Sequence, residues 1–445
     1  MNKNPLRALE HAPMSVLQIC TVAICIALNA LDGFDVLTIS FAAPGIAEEW
    51  GIGRGELGIV LAMELIGMTV GSITLGRAAD RFGRRPIILT CLLLMTLGMA
   101  CAALVGSVNE LLLSRFVTGL GIGGMLATTN AMVAEFANQR RRSLCVIMMA
   151  TGYPVGVILG GSVASSLLEL YSWRSVFVFG GGVTGAFLVI AWLWLPESAE
   201  YLFNRQPANA LARINRLYAR MGHAPVQQLE EPTRQENNAG FADLFAPALR
   251  APTLLLILAY FAQIMTFYYI LKWIPKIVVD MGFHPSAAGQ VLVWANVGGA
   301  IGAVLLGLLT SRLPLRKLLV GVLAGAFVMV SIFGQGQGSL SSLALVCAVT
   351  GFFTNAGVVG LYALMAQTFP ARLRASGTGL VIGIGRGGAA LGPVVAGFLF
   401  ASGADLASVS IYMASGALVA ACAIFLLGRA HNDAAPSAAQ ATSQP

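Results

Sequence analysis

Apolar segments long enough to cross a membrane recur along the whole of this 445-residue chain. A helix needs about 20 mostly apolar residues to span a bilayer. Backbone polar groups in hydrocarbon must be satisfied within the segment, so such segments fold as helices. The windows are 16–40, 57–76, 86–106, 110–134, 143–168, 174–195, 252–274, 286–310, 317–335, 340–366, 374–400 and 405–428. The sequence therefore predicts an all-α membrane protein with twelve transmembrane helices, here numbered spans one to twelve.

The charged residues give the orientation of these spans. Only 11% of the residues are charged, and 21 of the 27 lysines and arginines fall on one side of the predicted membrane. Cytoplasmic loops carry such an excess, so both termini are predicted to be cytoplasmic. The net charge of +7 follows from this topology. Because the chain has no basic stripe with interleaved aromatic residues, we expect no nucleic-acid partner.

A polar stretch divides the chain into two halves. Residues 1–195 are predicted to form an N-terminal six-helix half, and residues 251–428 a C-terminal six-helix half. Residues 196–250 are predicted to form a cytoplasmic central loop, and 429–445 a disordered cytoplasmic tail. At one offset of 231 positions, Gly76, Arg81 and Arg85 match Gly307, Arg312 and Arg316. This internal repeat indicates two pseudo-symmetric halves in parallel orientation.

Asp32 and Asp35 are the most unusual residues of span one. A carboxyl group at the centre of a membrane helix costs roughly 2.5–3.5 kcal/mol on the insertion scale, which favours a functional role for two of them. Residues three positions apart share one helix face, and acids this close titrate as a coupled pair. These properties suit a carrier of protons. The alternative is a structural pair that forms hydrogen bonds to neighbouring helices.

Two segments resemble the motifs of a known superfamily. Residues 76–85 read Gly-Arg-Ala-Ala-Asp-Arg-Phe-Gly-Arg-Arg, and residues 115–124 read Arg-Phe-Val-Thr-Gly-Leu-Gly-Ile-Gly-Gly. The first resembles the signature loop of the major facilitator superfamily, and the second resembles its span-four motif. Pro196-Glu197-Ser198 closes span six, as in many of its members. The resemblance implies the twelve-helix major facilitator fold and transport by alternating access.

Span one narrows this resemblance. Its segment Asp32-Gly-Phe-Asp35 is similar to that of the aromatic acid:proton symporter family, whose bacterial members import hydroxybenzoates and related acids. The resemblance implies proton-coupled uptake of a small aromatic carboxylate across the bacterial inner membrane. The partners are then the acid, protons and the lipid bilayer. We expect no cofactor and no metal, and a monomer is the default for the superfamily.

Arg386 is a positively charged residue predicted to lie inside the membrane. It lies twelve residues into span eleven, about 18 Å from the start at 1.5 Å per residue. Glycines at 383, 385, 387 and 388 remove bulk around it. The planar guanidinium suits two-point contact with a carboxylate, so Arg386 is predicted to bind the carboxylate of the substrate. The alternative is an ion pair with Asp32 or Asp35.

Further polar and aromatic residues complete the predicted sites. Glu64 in span two lies near the depth of Asp35 and is predicted to be a third proton-coupling residue or a gate. An apolar slot with a few polar contacts suits an aromatic ring. The predicted lining is Phe34, Tyr268, Trp294 and Tyr362, with Asn296 and Asn355 able to bind a ring hydroxyl. Helix packing is the alternative for each of them.

The signature loop is predicted to act as a gating latch. Gly76 and Gly83 permit a tight turn and close helix approach. Asp80 is predicted to accept hydrogen bonds at the N-terminus of a neighbouring helix, where the helix dipole favours an anion. The basic residues of the loop, predicted to pair with acids or lipid phosphates, are Arg81, Arg84 and Arg85. The alternative is a basic loop without a gating role.

Two residues of span four are given partners. Arg115 is predicted to snorkel to the outer surface, and its motif suggests an acid of span one as its partner. Glu135 is predicted to pair with the basic cluster 140–142 at the inner face.

Three functions fit these features. Proton-coupled uptake of an aromatic acid is favoured, and proton-coupled efflux of a drug or organic anion is the alternative. Pro393 in span eleven belongs to a segment that resembles an antiporter motif, but Val157 occupies the position of the matching proline in span five. A sensor that binds without transporting is the third. An enzyme is not predicted, because the sequence has no nucleophile–base pair, metal-ligand cluster or phosphate loop.

Overall fold

The computed structural model describes residues 12–229, 241–310, 312–370 and 373–434. Within these ranges the chain forms fourteen α-helices, one 3₁₀ helix at Phe241–Phe245 and no β-strand. The first eight helices are α1 (Val16–Trp50), α2 (Arg54–Phe82), α3 (Arg84–Leu104), α4 (Val108–Phe136), α5 (Arg142–Leu170), α6 (Arg174–Trp194), α7 (Ala199–Arg205) and α8 (Ala210–Met221). The others are α9 (Pro247–Asp280), α10 (Pro285–Leu309), α11 (Leu315–Gly334), α12 (Leu340–Thr368), α13 (Arg374–Ala401) and α14 (Leu406–Ala434).

Twelve of the described helices, α1–α6 and α9–α14, are long and apolar enough to cross a membrane. This confirms the predicted number and order of spans. The longest, α1, has 35 residues, or about 52 Å at 1.5 Å per residue. It exceeds the bilayer core of about 30 Å, because its last turns carry Glu48 and Glu49 and extend beyond the predicted window.

Two short helices occupy the region predicted to be the central loop. The Ser198 side chain caps α7 by accepting a hydrogen bond from the Tyr201 amide. In α8 the apolar face is buried, whereas three arginines, Arg213, Arg216 and Arg220, are exposed. Burial also raises the pKa of Tyr218 on the buried face. The region is therefore folded in its first part; residues 230–240 lie outside the described ranges.

The second half differs from the predicted boundaries at both ends. Helix α9 begins at Pro247, before position 251, and α14 continues to Ala434, beyond position 428. Residues 429–434, predicted to be disordered, are thus helical. The segment contains no glycine or proline, so the helix of span twelve can continue past its apolar part. The rest of the predicted tail, 435–445, lies outside the described residues.

The described chain forms two compact units. The first comprises α1 up to Ala42, α2 from Met63, and α3 to α8. In it α4 packs against α3 and α5, and α3 packs against α6.

The second unit comprises 43–62 and the chain from 236 onwards. In it α9 packs against α13 and α14, α10 against α12, and α11 against α14 and α12. At the start of α2, the Arg54 guanidinium lies 3.0 Å from an Asp280 carboxylate oxygen at the end of α9. Lys276 contacts the other Asp280 oxygen at 2.5 Å.

Candidate functional site

Asp32 and Asp35 lie one turn apart on α1 in the first unit. Both are buried, and Asp32 is only 2% exposed. Neither carboxyl oxygen of Asp32 has a hydrogen-bond partner among the described residues. One Asp35 oxygen accepts a hydrogen bond from the Thr184 hydroxyl of α6 at 3.3 Å. The two acids share a helix face, but only one of them is hydrogen-bonded.

Arg115 on α4 supplies the positive charge beside these acids. Its guanidinium lies 2.5 Å from a Glu64 carboxylate oxygen and donates to the Asp35 backbone carbonyl at 3.3 Å. It also stands over the Phe177 ring, 5.4 Å from the centroid. Because Arg115 is completely buried, the predicted snorkelling is wrong. Its acidic partner comes from α2, and its contact with α1 is to a backbone carbonyl.

A glycine contact between α2 and α4 allows this ion pair to form. A Cβ atom at Gly119 would lie 2.1 Å from the Glu64 carbonyl oxygen, a distance that no real side chain tolerates. Small residues let membrane helices approach this closely. Arg115 and Glu64 therefore meet directly inside the unit, from adjacent helix backbones.

The cluster formed by Asp32, Asp35, Glu64 and Arg115 thus holds three carboxyl groups and one guanidinium. A buried charge without compensation costs several kcal/mol. Glu64 is compensated by Arg115, and Asp35 contacts the same guanidinium through its backbone and Thr184 through its side chain. Asp32 has no donor among the described residues. The cluster therefore combines two acids that have donors or a cationic partner with one acid, Asp32, whose carboxyl oxygens have none among the described residues.

A second cluster surrounds Arg386 in the second unit. Arg386 on α13 is half-buried and forms no ion pair or hydrogen bond with another described residue. The ring of Tyr260 on α9 packs against Gly385, the neighbour of Arg386 in the chain. The Tyr260 hydroxyl lies 2.9 Å from the Tyr362 hydroxyl of α12, with ring centroids 5.6 Å apart. Three helices thereby bring a pair of phenols to the segment that carries Arg386. Tyr268 lies on the same helix as Tyr260, and its role stays a prediction.

Gly385 makes room for Tyr260 beside Arg386. A Cβ atom at Gly385 would lie 2.0 Å from a ring carbon of Tyr260. A Cβ atom at Gly383 would meet nothing within 4 Å. Only one of these two glycines is therefore needed to seat the tyrosine ring against the α13 backbone.

The other residues predicted to line the substrate pocket have contacts of their own. Phe34 belongs to the first unit and is 3% exposed, with its ring 5.6 Å from that of Phe179. Trp294 is 53% exposed on α10. The Asn355 amide donates to the Gly299 carbonyl at 2.8 Å, and the Asn296 amide donates within its own helix. The described contacts of Phe34, Asn296 and Asn355 are to the residues named above, and the roles of all four residues stay predictions.

The signature loop turns at Gly83, whose φ of 111° is a conformation that favours glycine. Arg84 pairs with Asp80 and, at 3.1 Å, with Glu135. Arg81 stands over the Phe82 ring, Arg85 donates to the Trp192 carbonyl at 2.6 Å, and a Cβ atom at Gly76 would be 3.5 Å from Ala127. Within the first unit the loop is therefore held by contacts to α4 and to the end of α6.

Two of the predicted partners in this region are wrong. Glu135 pairs with Arg84 and the Ser198 hydroxyl, not with the cluster 140–142. Glu197, rather than Asp80, accepts from the N-terminus of a helix, at 2.9 Å from the Arg84 amide and 3.2 Å from the Arg85 amide. The turn at Gly83 directs the start of α3 toward Glu197, while Asp80 lies one helical turn before Arg84 and pairs with it.

Sequence reasoning missed three contributors to these sites. Tyr260 lies eight positions before Tyr268, a spacing that places both on one face of α9 and is readable from the sequence. Glu197 belongs to the Pro196-Glu197-Ser198 segment at the end of span six, and that position by itself does not indicate contact with the start of α3. Thr184 has no sequence signal, because α6 is distant from α1 in the chain.

Comparison with known proteins agrees with this architecture. The sequence matches the family model of the Major Facilitator Superfamily over residues 25–335 and 280–445. It is 31% identical over 434 residues to the gallate transporter of Pseudomonas putida, with 96% of each chain covered. It is 33% identical over 433 residues to a 4-hydroxybenzoate transporter of Pseudomonas aeruginosa, with 95% of each chain covered.

Solved structures share the fold. A bacterial homologue of the human lysosomal transporter Spinster, in an inward-facing and occupied conformation, superposes with a TM-score of 0.74. The identity is 15%, and the match covers 94% of this chain and 98% of that one. Fold and comparisons together define a multi-pass membrane transporter and not an enzyme. The chain belongs to the major facilitator superfamily.

Proposed function

We propose that this transporter imports a small aromatic carboxylate together with protons, by alternating access. The observation that carries the proposal is the buried acid cluster of α1, α2 and α4. Ionisable residues inside membrane helices are costly, and they commonly mark proton or substrate pathways. A cluster with more acids than cations, completely enclosed by protein, suits reversible proton binding better than it suits structural stabilisation.

Within this cluster we assign the coupled proton to Asp32. Its two oxygens are buried and without a donor among the described residues. The neutral acid avoids the cost of an uncompensated charge, and the ionised acid needs water or another donor. Exposure to either side of the membrane would supply that water. Asp35 and Glu64 then hold Arg115 in place and tune the charge beside Asp32.

The energy available is sufficient for accumulation. One proton that crosses 100 mV yields about 2.3 kcal/mol. A monoanion that moves with one proton transfers no net charge, so only the pH gradient drives it, with about tenfold accumulation per pH unit at about 1.4 kcal/mol per tenfold. With two protons one net charge crosses, and 100 mV then adds roughly fifty-fold accumulation.

Arg386 is proposed to bind the carboxylate of the substrate. Its guanidinium is half-buried and has no acidic partner among the described residues. A cation in this setting favours an anion, and its planar fork matches a carboxylate. The tyrosines around it provide an aromatic surface for a ring. Two relatives whose names specify gallate and 4-hydroxybenzoate support a hydroxylated aromatic acid as the substrate.

The orientation in the membrane, the gating loop and the oligomeric state are also proposals. The positive-inside bias supports cytoplasmic termini in a bacterial inner membrane. The signature loop is proposed to gate access, because Asp80, Arg84 and Glu135 form ion pairs that a rearrangement of helix ends would break. A monomer is proposed as the functional unit.

Reconstitution tests the proposal. Purified protein in liposomes is given labelled benzoate, 4-hydroxybenzoate and gallate, with the outside more acidic than the inside. We expect accumulation that a protonophore abolishes and that protein-free liposomes lack. Absence of accumulation for every acid, together with gradient-driven export from preloaded vesicles, would replace import by efflux.

A further inference from the structure

The Tyr260–Tyr362 pair has hydrogen-bonding capacity beyond its own contact. The two hydroxyl oxygens lie 2.9 Å apart, so one hydroxyl donates to the other. Each phenol has one proton and can also accept. The pair therefore retains one O–H that can be donated and lone pairs that can accept. A phenolic hydroxyl, which both donates and accepts, is complementary to such a pair.

Exposure distinguishes this pair from a structural one. Tyr362 is 40% exposed, whereas its partner Tyr260 is buried against the Gly385 backbone. Tyr269 and Ser410 form a comparable pair, with hydroxyls 2.7 Å apart, but both residues are completely buried. Tyr269–Ser410 thus joins two helices, while Tyr260–Tyr362 presents one accessible hydroxyl beside a rigidly seated one.

The guanidinium and the phenols suit different polar groups of an aromatic acid. Arg386 carries five N–H donors and no acceptor, so it can bind a carboxylate but cannot accept from a ring hydroxyl. The tyrosine pair can do both. The Tyr260 ring packs against Gly385, the neighbour of Arg386 in the chain, so an acid with a carboxylate at one end and a ring hydroxyl at the other is matched to the two groups.

We propose that the Tyr260–Tyr362 pair binds the ring hydroxyl of the transported acid and so selects hydroxylated over unsubstituted aromatic acids. The inference rests on the proposed function, in which Arg386 binds the carboxylate. The tyrosine pair is proposed to distinguish hydroxylated from unsubstituted acids, whereas Arg386 is proposed to bind the carboxylate that all of these acids share. An experiment can therefore disprove the role of the tyrosines without disproving the role of Arg386.

Competition measures the selection. The experiment measures uptake of labelled 4-hydroxybenzoate into proteoliposomes in the presence of unlabelled 4-hydroxybenzoate or benzoate, which gives an inhibition constant for each acid. The proteins compared are wild type, Tyr260→Phe, Tyr362→Phe and the control Tyr269→Phe. One hydrogen bond in a partly buried site supports about tenfold discrimination. We expect wild type and Tyr269→Phe to prefer 4-hydroxybenzoate about tenfold. Tyr362→Phe and Tyr260→Phe should lose most of this preference and keep the inhibition constant of benzoate.

Two results would overturn the inference while import stands. The first is an unchanged preference in both Tyr260→Phe and Tyr362→Phe, and the second is equal weakening of both ligands, which a purely structural pair would cause. If wild-type protein takes up no aromatic acid, the proposed function itself fails and the inference with it. Measuring all variants at equal amounts of reconstituted protein separates these outcomes.

Discussion

The Arg115 guanidinium lies 2.5 Å from the Glu64 carboxylate, and neither side chain is exposed. Pairs of this kind are strongly context-dependent, because desolvation offsets much of their attraction. Removing one partner, however, leaves the other charge buried without its ion-pair partner. The pair therefore makes the first unit sensitive to single substitutions.

Glu64→Gln should destabilise the protein by about 3–5 kcal/mol, because Arg115 loses its carboxylate partner. Thermal unfolding of purified protein in detergent measures this change. The double variant Glu64→Gln with Arg115→Met should unfold at a higher temperature than Glu64→Gln alone. The matched control is Asp280→Asn, which removes the acid from its more exposed pairs with Arg54 and Lys276 and should change stability by about 1 kcal/mol or less. Equal unfolding temperatures for Glu64→Gln and Asp280→Asn would contradict the claim that the first unit depends on the buried Arg115–Glu64 pair.

Gly385→Ala should impair transport far more than Gly383→Ala. The new methyl group at position 385 would collide with the Tyr260 ring, whereas position 383 faces open space. Gly383→Ala should also be neutral or slightly stabilising, since alanine has the higher helix propensity. The initial rate of 4-hydroxybenzoate uptake at equal protein levels tests both variants. Similar rates for the two would mean that the seating of Tyr260 does not matter.

Arg386→Lys should raise the KM for the aromatic acid by about tenfold or more. Lysine keeps the charge but loses the planar fork for two-point contact with a carboxylate. The control is Arg374→Lys, at an exposed arginine of the same helix, which should behave as wild type. Saturation curves of uptake give the two constants. A wild-type KM for Arg386→Lys would exclude bidentate binding.

Glu197→Ala should loosen the start of α3. The Glu197 carboxylate accepts from the amides of Arg84 and Arg85, where the helix dipole strengthens the interaction. Loss of such a cap costs about 1 kcal/mol. Hydrogen exchange at these amides should therefore accelerate about fivefold, while Glu200→Ala, at an exposed acid nearby, leaves it unchanged. Unchanged exchange in Glu197→Ala would show that other contacts hold the helix start.

The sequence predicted the spans because their signal is local. Apolar length alone identifies a membrane helix, so the number and order of the twelve spans agree with the structure. Helix ends were less predictable, as the extension of α14 to Ala434 illustrates. Beyond the bilayer, helix length depends on capping and contacts rather than on hydropathy.

Partners across helices were predicted poorly. The position of Arg115 along span four places it near the outer surface and predicts snorkelling. Its burial depends on the close approach of α2 at Gly119, which one chain segment does not reveal. The predicted partners of Glu135 are the basic residues that follow it in the sequence, but the fold brings Arg84 to it from a different helix. Charged residues inside apolar spans are recognisable as candidate functional residues from the sequence. Their partners depend on tertiary contacts, which the sequence does not show.

The central claim is that Asp32 carries the coupled proton. The direct test compares wild type, Asp32→Asn and the exposed-acid control Glu200→Gln in proteoliposomes, under an inward proton gradient and in gradient-free exchange of labelled 4-hydroxybenzoate. The account predicts that Asp32→Asn exchanges substrate but does not accumulate it, while the control does both. Gradient-driven accumulation by Asp32→Asn at the wild-type level would contradict it.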